Sequence, residues 1–461
     1  MAQKSSIHFD ISERKVLLRT MDIVSVLSVL YLVGRIFHFD YFEIDGDNWY
    51  WSVILVLYLS LFGTIFELYD LQKASRFEVV IQNVILASSV TVLFYLLTPF
   101  YTPTLPENRL QIIYFYLSVT IALFAWRYAY IKLISAPRFF KRLLLVGDAA
   151  TIDLIVSSLQ KSDPNYRVVG FINTGKTEYS SKSILEFNEL NISEIISEHS
   201  ISEVVVAVPE GDGMTVALNN QLISVLERGI HIRAYTQVYE ELTHRVPVQH
   251  VSTDFYRYFP FSRSNQNKLY LFIHRFMDIL MSLIGLLFGI VLLPCIFIGN
   301  LCGNTGPLFY TQIRVGKNGK HFRIYKLRSM VTDAEKDGAA FAAHKDARVT
   351  KFGRFLRRSR LDEIPQFINV LKGDMSIIGP RPERPVFVRQ LSEKIPFYEI
   401  RHLVKPGLTG WAQVNAKYGS TEADALEKLQ YDLYYIKRRS IFLDVSILMK
   451  TLSTIIFFRG Q

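Results

Sequence analysis

The sequence predicts a mixed membrane protein in three parts: an N-terminal four-helix transmembrane bundle over residues 1–137, a Rossmann-like α/β domain over 138–262, and an α-rich monotopic domain over 263–461 with a re-entrant membrane helix at about 270–300. Three observations predict it. Four apolar stretches come first, each near the roughly twenty residues that cross a bilayer as a helix. Short β-rich runs then alternate with helix-like stretches, the pattern of a parallel α/β domain. A fifth apolar run follows, and the residues on both of its flanks are basic, so both ends favour the same side of a membrane. Bulk composition agrees, since 50% hydrophobic and 13% aromatic residues in 461 exceed what an ordinary soluble chain carries. The balance of 52 Lys+Arg against 42 Asp+Glu gives a net charge of +10 and points to anionic partners, either lipid headgroups or phosphorylated substrates. Nucleic acid fits the charge alone, but the chain carries no recognition motif for it, so no nucleic-acid partner is expected. Cys295 and Cys302 lack metal-ligand spacing and read as reduced, apolar thiols.

The four stretches are residues 16–38, 50–68, 79–98 and 111–134. Arg14, Lys15 and Arg19 flank the first, Asp40, Glu43, Asp45 and Asp47 follow it, and Lys132, Arg138, Lys141 and Arg142 follow the fourth. By the positive-inside rule the N-terminus and residue 138 are cytoplasmic. The first apolar run has no small-residue cleavage site after it and reads as an uncleaved anchor. A buried bundle in a soluble protein is the competing reading.

In the second part, residues 141–146, 167–172, 203–208 and 230–235 are the β-rich runs, with helix-like stretches at 151–160 and 215–228 between them. The first turn, Gly147-Asp148-Ala149-Ala150, has one glycine where a dinucleotide fingerprint needs several, so no NAD is expected. Gly170 to Thr177 matches the phosphate-loop pattern letter for letter. A true phosphate loop follows a strand and opens a helix, whereas here the apolar run continues through Gly170 into Phe171-Ile172, which predicts a strand ending in a Gly-Lys turn.

The fifth run, Phe276 to Leu301, is preceded by Arg263, Lys268 and Arg275 and followed by Arg314, Lys317, Lys320, Arg323, Lys326 and Arg328. Pro294 lies late in it and removes a helical hydrogen bond. A helix that enters one leaflet, breaks at Pro294 and returns satisfies both observations; a plain fifth span is the alternative.

The chemistry-bearing residues come next. Asp362-Glu363 sit between Arg357-Arg358-Ser359-Arg360 and the turn Gly379-Pro380-Arg381-Pro382, with Pro365 placed to open a helix. Adjacent residues on a regular helix diverge by about 100 degrees, so a pair acting together is better placed at an irregular helix start. Two carboxylates among cations suit phosphoanhydride chemistry: Asp362 attacks phosphorus to form an acyl phosphate, and Asp362 and Glu363 hold Mg²⁺. Arg357, Lys326, Arg328, Arg381 and Arg384 are the candidate phosphate contacts, the arginines because a planar guanidinium can engage two oxygens. The plainer reading is that acidic residues favour any helix N-terminus.

Taken together, His274-Arg275-Phe276-Met277-Asp278, Lys326-Leu327-Arg328-Ser329-Met330, Leu361 to Gln366, Gly379-Pro380-Arg381-Pro382 and Lys405 to Asn415 resemble the monotopic phosphoglycosyl transferases, or bacterial sugar transferases, over residues from about 268 to 461. The upstream bundle and nucleotide fold resemble the long form of that family. The resemblance implies transfer of a sugar 1-phosphate, glucose or galactose, from a UDP-sugar to undecaprenyl phosphate, with release of UMP and a requirement for Mg²⁺, as the first membrane step of exopolysaccharide or capsule assembly. It implies a bacterial inner membrane location, with the N-terminus, the α/β domain and the catalytic domain on the cytoplasmic side. It further implies Asp362 as nucleophile, Glu363 as its metal-binding partner, Arg357 as a phosphate ligand, and a membrane hairpin marked by Arg275, Asp278 and Pro294. The family pattern has Lys-Arg where this chain has His274-Arg275, and Phe where it has Leu327. Rival functions are a membrane-anchored nucleotide-sugar dehydratase or epimerase, which needs a glycine-rich NAD turn after residue 268 that the chain lacks, and a nonenzymatic scaffold. Oligomeric state is left open, a homo-oligomer included. The stretches Asp424–Arg439 and Ile441–Phe458 read either as interfacial helices, with Tyr431, Tyr434 and Tyr435 at headgroup depth, or as core helices.

Overall fold

In the computed structural model the described residues are 11–37, 41–42, 47–70, 74, 77–133, 141–162, 166–175, 179, 184–187, 191–208, 215–248, 267–334, 346–416, 419 and 421–456. They fall into two compact units, residues 1–238 and 239–461.

The first unit opens with helices α1 (Ile11–Phe37), α2 (Trp49–Ile65), α3 (Phe77–Leu97) and α4 (Leu110–Leu133). Residues 13–37, 77–97 and 110–133 are long and apolar enough to cross a membrane. The 17-residue α2 is slightly shorter, about 26 Å of helix. Helix α1 packs on α4, α2 on α3 and α3 on α4. Their shared core holds Phe42, Tyr95 and Phe115, with ring centroids 5.2 to 6.1 Å apart, while Leu32, Leu57, Leu93 and Ile121 face outward. The fully buried Arg127 is partnered, bonding Asp22 at 2.5 Å and the Leu68 carbonyl at 2.9 Å, as a low-dielectric setting requires.

The α/β part follows as β1 (Lys141–Gly147), α5 (Ala149–Ser162), β2 (Tyr166–Asn173), β3 (Leu185–Phe187), α6 (Ile192–Glu198), β4 (Glu203–Val206), α7 (Val216–Glu227), β5 (His231–Ala234) and α8 (Tyr235–Thr243). The five strands form one parallel sheet in the order β3-β2-β1-β4-β5. Strand β1 is central, and its Leu143 to Val146 are fully buried, which is why it reads as a continuous apolar run. Strand β2 runs through Gly170 to Asn173 as the sequence predicts, and Lys176 and Thr177 of the phosphate-loop lookalike lie outside the described residues. Beside the first βα turn the Asn173 side chain accepts from Ala149 N at 3.2 Å and Gly175 N at 3.1 Å, so a protein oxygen holds the amide that opens α5.

The second unit is organised on α9 (Lys268–Gly303), capped by Asn267, whose side chain accepts from Leu269 N and Tyr270 N. The helix does not end at Pro294. It continues as one 36-residue element, about 54 Å long. The expected break is therefore absent as an interruption of the helix: one proline removes one hydrogen bond, and the packing of Ile296 and of Gly299 beyond it carries the helix on. One side of α9 stays exposed and apolar, with Phe272, Phe276, Leu283, Leu287, Val291 and Ile298 all more than half accessible. The other side has glycines where the rest of the unit presses in: a side chain at Gly285 would strike Phe367, one at Gly289 Ile364 and one at Gly299 Phe352.

An antiparallel hairpin follows, β6 (Phe309–Val315) and β7 (His321–Leu327), turning at Gly316–Lys320 with Asn318 left-handed at φ 55. Then come α10 (Lys351–Arg358), a 3₁₀ turn at Leu361–Glu363, α11 (Gln366–Lys372), β8 (Ser376–Ile378), α12 (Pro385–Lys394), a 3₁₀ segment Tyr398–Leu403, β9 (Gly407–Thr409) parallel to β8, α13 (Trp411–Asn415), α14 (Glu422–Arg438) and α15 (Ile441–Ile456). Pro365 caps α11 one residue outside the helix instead of opening it. Of the two readings of the C-terminal helices, core packing holds for α14: Tyr431, Leu433, Tyr435 and Ile436 join Val370, Met375, Ile377 and Trp411 in the main core. Tyr434 stacks on Trp411 and bonds His244 at 3.1 Å, so these tyrosines are not headgroup anchors.

Candidate active site

Arg360, in the left-handed region at φ 58, turns the chain sharply from the end of α10 into the 3₁₀ turn. That turn carries Asp362 and Glu363, both 7% exposed, at the entrance of α11. Burying two neighbouring carboxylates is unfavourable unless cations compensate. Glu363 collects them. Arg381 Nη2 donates to its Oε1 at 2.7 Å, Lys326 Nζ to the same oxygen at 3.2 Å, and Arg360 Nη1 to Oε2 at 3.5 Å.

Asp362 is treated differently. Its Oδ1 is buried and has no hydrogen-bond partner among the described residues. Burial first, and then the Glu363 charge, push its carboxyl up to about 6, against Lys326, Arg357 and Arg360. Burial works to raise Glu363 as well, but Arg381, Lys326 and Arg360 overcome it and hold that carboxyl well below its usual range. One acid of the pair is thus locked as an anion inside a cation ring, and the other is destabilised as an anion and lacks a partner on one oxygen.

Each cation is itself held. Lys326 comes from β7, where burial lowers its ammonium from the ordinary value while Glu363 and Asp362 oppose the shift. Arg357 anchors through Nε to Ser329 Oγ at 2.9 Å, which leaves its two terminal nitrogens without a protein partner among the described residues. Arg381 stands in the Gly-Pro-Arg-Pro turn, pinned from both sides: Arg314 donates to the Pro382 carbonyl at 3.1 Å, and Arg401 to the Arg381 carbonyl at 3.0 Å. The turn lies against the β8/β9 pair so closely that Gly379 N bonds Thr409 O at 2.9 Å and Gly407 N bonds Pro380 O at 2.8 Å, an approach with no room for a Cβ.

Arg328, expected as a phosphate contact, is used within the protein, and Arg384 stands at the start of α12. Arg328 is buried beneath the end of α9, donating to Pro307 O at 2.7 Å, Asn304 Oδ1 at 3.2 Å, Met330 O at 3.1 Å and the Asn304 carbonyl. Its donors close the C-terminus of the long helix, so the expectation of a phosphate ligand there is corrected to a helix clamp. Arg384 caps α12 with its guanidinium 5.7 Å from the centre of the Phe387 ring. The residues expected to mark the membrane hairpin act as fasteners. Arg275 donates to the Val370 and Leu371 carbonyls at 2.7 and 2.8 Å, at the C-terminal end of α11. Asp278 accepts from Ser376 Oγ at 2.9 Å and Ile377 N at 2.8 Å, which ties α9 to β8.

Sequence reasoning missed three supports. Asn369, fully buried, bridges α11 to β7 through Arg323 O at 2.8 Å and Tyr325 N at 3.1 Å. Arg314 and the buried pair of Arg401 and Asp432, 2.8 Å apart, complete the frame around Arg381. Only the clustering of arginines hinted at the last two; nothing in the sequence singles out Asn369.

Among the described residues no group of three or more His, Cys, Asp or Glu could hold a metal. A divalent ion at the pair would therefore draw on two carboxylates and on substrate or water oxygens, the ordinary provision for Mg²⁺. The residues fit that role: Asp362 Oδ1 is unpartnered, and Glu363 uses three of about four lone-pair positions.

Spanning-length apolar helices, a parallel α/β sheet and a carboxylate pair ringed by cations define a membrane-associated α/β protein with a site suited to anionic phosphate esters. The family described as Bacterial sugar transferase matches residues 269–458. A UDP-N-acetylgalactosamine-undecaprenyl-phosphate N-acetylgalactosaminephosphotransferase from Aeromonas hydrophila is 45% identical over 229 residues, 49% of this chain and 53% of that protein. A Bacillus subtilis (strain 168) protein, provisionally named as an undecaprenyl-phosphate N-acetylgalactosaminyl 1-phosphate transferase, is 53% identical over 141 residues, 31% of this chain and 79% of the relative. The UDP-glucose:undecaprenyl-phosphate glucose-1-phosphate transferase of Escherichia coli (strain K12) is 43% identical over 178 residues, 38% of each chain. The chain belongs to the bacterial sugar transferase family. It spans about half the length of the Aeromonas relative and less of the Escherichia one.

Proposed function

We propose that this protein transfers a sugar 1-phosphate from a UDP-sugar to undecaprenyl phosphate, releasing UMP, through a covalent phosphosugar on Asp362, as the first membrane step of an exopolysaccharide or capsule. The observation that carries the reading is the unpartnered, buried Oδ1 of Asp362 beside a Glu363 whose charge three cations already neutralise. A carboxylate that merely stabilised a helix start would be solvated or capped; this one is raised in energy and its buried Oδ1 has no hydrogen-bond partner among the described residues.

In the first half-reaction an Asp362 oxygen forms a bond to the phosphorus that bears the sugar. The anhydride P–O bond breaks and its electron pair leaves with UMP. Arg381, Lys326 and the free terminal nitrogens of Arg357 face the charge that grows on the nonbridging oxygens. In the second, an oxygen of the polyprenyl phosphate attacks the same phosphorus and the Asp362 carboxylate is released. Mg²⁺ bound by Asp362 and Glu363 would supply charge neutralisation of the diphosphate. The names of the relatives widen the sugar beyond glucose and galactose to N-acetylgalactosamine.

One substrate is a lipid and the other is water-soluble, so the site belongs at a membrane surface. The re-entrant reading of α9 is supported by packing along its whole length. Arg275 near its start bonds Val370 of α11, Asp278 bonds Ser376 of β8, and Asn304 just past its end bonds the Arg328 carbonyl after β7, all within the unit that holds the pair. A helix spanning the bilayer would put those partners on opposite sides. Basic flanks favour the cytoplasmic side for this unit, the α/β domain and the N-terminus.

The test is purified full-length protein incubated with a UDP-sugar labelled in the sugar phosphate, without lipid. Label should appear on the protein with release of UMP, be absent in Asp362→Asn, and chase onto undecaprenyl phosphate. Unchanged turnover in Asp362→Asn refutes the mechanism.

A further inference from the structure

Beside the Gly-Pro-Arg-Pro turn, α12, the Tyr398–Leu403 segment and the start of α14 enclose a cavity of about 470 Å³, within the usual range of about 300–1,000 Å³ for ligand pockets. Its lining includes Glu383, Gln390, Tyr398, Arg401, Glu422 and Ala425. Two of these residues tie it to the carboxylate pair. Arg401, 5% exposed, lines the cavity and donates to the Arg381 carbonyl, while Arg381 donates to Glu363. Glu383 follows Arg381 by two residues and stands 3.7 Å from Arg314, with no hydrogen bond to its carboxylate among the described residues.

The lining selects its ligand class. The Glu383 carboxylate and the Gln390 amide are an acceptor and donors for hydroxyl groups, while the lysines of the lining are engaged by the protein, Lys394 with Glu422 at 3.2 Å and Lys428 with the Gly419 carbonyl at 2.7 Å. An aromatic face for stacking a base is not offered, because the one ring there, Tyr398, is 3% exposed and has its hydroxyl bonded to Arg401 at 2.6 Å. Position argues the same way. In a sugar nucleotide the sugar hangs directly on the phosphorus that Asp362 would attack, and the nucleoside lies one phosphate further off. This pocket adjoins the turn that carries Arg381 through Glu383 and Arg401, which puts it beside a cation of the carboxylate pair.

We propose that this cavity holds the sugar of the donor and discriminates its hydroxyl and N-acetyl substituents through Glu383 and Gln390. The proposal rests on the transferase reading above and deepens it. Neither Gln390→Ala nor Ala425→Trp replaces a residue that bonds the carboxylate pair; the first removes an exposed amide from the rim and the second fills the cavity from α14.

The experiment uses the full chain in detergent or nanodiscs. Binding of UDP-glucose, UDP-galactose, UDP-N-acetylgalactosamine and UMP is measured by calorimetry, beside donor KM and kcat from UMP release. Ala425→Trp should weaken donor binding and raise KM tenfold or more, with UMP affinity unchanged within twofold. Gln390→Ala should alter the ratio of kcat/KM between donors, and of their affinities, by at least fivefold. Unchanged donor affinities in both variants overturn the proposal, and so does an equal loss of UMP affinity, which would make the cavity the nucleoside's. Should Ala425→Trp fail to fold, an unchanged donor ratio in Gln390→Ala is enough to overturn it. Wild-type protein that binds a donor sensitively to these substitutions but never releases UMP would refute the transferase reading and leave the sugar pocket standing.

Discussion

Asp362 and Glu363 are neighbours in sequence and opposites in energetics, and that difference can be measured. The proposed mechanism requires an ionised Asp362, and burial with the adjacent Glu363 charge raises its carboxyl to about 6. The rate of protein labelling by donor should therefore be flat above pH 7 and fall about tenfold per unit below pH 6. Lys326→Met removes a cation that opposes the shift, so its acidic limb should lie at higher pH than that of wild type. A limb near pH 4 in both proteins would show that Asp362 is not the titrating nucleophile. Stability moves the other way. The folded carboxyl is raised above its unfolded value, so its stabilising contribution is present below about pH 4 and is lost as pH rises through about 6. Asp362→Asn should then be more stable than wild type at pH 8, on the order of 1–3 kcal/mol, with the difference gone near pH 4 in thermal melts. A lower melting temperature at pH 8 would contradict the burial argument. The sequence displayed this pair because the chemistry is local to a few residues. It misplaced Arg328, because which arginine meets a phosphate and which closes a helix end depends on where α9 stops relative to β7. Asp432 was silent for the same reason, since its partner Arg401 lies 31 residues away.

At the level of elements, the parallel strands were legible from their continuous apolar runs, and the edges of α9 from its length and hydropathy. The three-residue β3 was not, because an edge strand that short has no period to read. The sequence also could not say what the conspicuous residues of α9 hold. Asp278 carries the seam between α9 and β8, and its carboxylate is the acceptor for a buried hydroxyl and a buried amide. Asp278→Ala should leave both donors unsatisfied, at about 1–3 kcal/mol each, and lower the melting temperature while membrane association persists. Asp278→Asn keeps an acceptor oxygen and should recover most of that loss. Gly289→Leu is the complementary probe from the helix side, because its side chain would displace Ile364, the residue after the pair. Turnover should fall at least a hundredfold in a protein that still folds and fractionates with membranes, as expected when reacting groups shift by about an ångström. Wild-type turnover in Gly289→Leu would show that the turn is not positioned by α9.

For the whole molecule, the decisive question is how a 36-residue apolar helix is disposed when elements of one unit grip it along its length. At about 54 Å the helix is longer than a hydrocarbon core of about 30 Å requires. A perpendicular span would also strand either Asp278 or Asn304 from partners that lie in the same unit as the carboxylate pair. A shallow path in one leaflet keeps both sets of contacts and lets the exposed Phe276, Leu283, Leu287 and Val291 face lipid. It further places Lys268 and Lys320, both exposed, on the same aqueous side. With Cys295 and Cys302, the two exposed native thiols, replaced by Ala, the single variants Lys268→Cys and Lys320→Cys should each react with a membrane-impermeant maleimide in inside-out vesicles and be protected in intact spheroplasts. Reaction of one position from each side would make α9 a true span, and would put the carboxylate pair on the opposite face of the membrane from the N-terminal flank of the helix. The proposed donor is a cytosolic nucleotide, so that result would remove the substrate from reach of Asp362, whatever the geometry of the site.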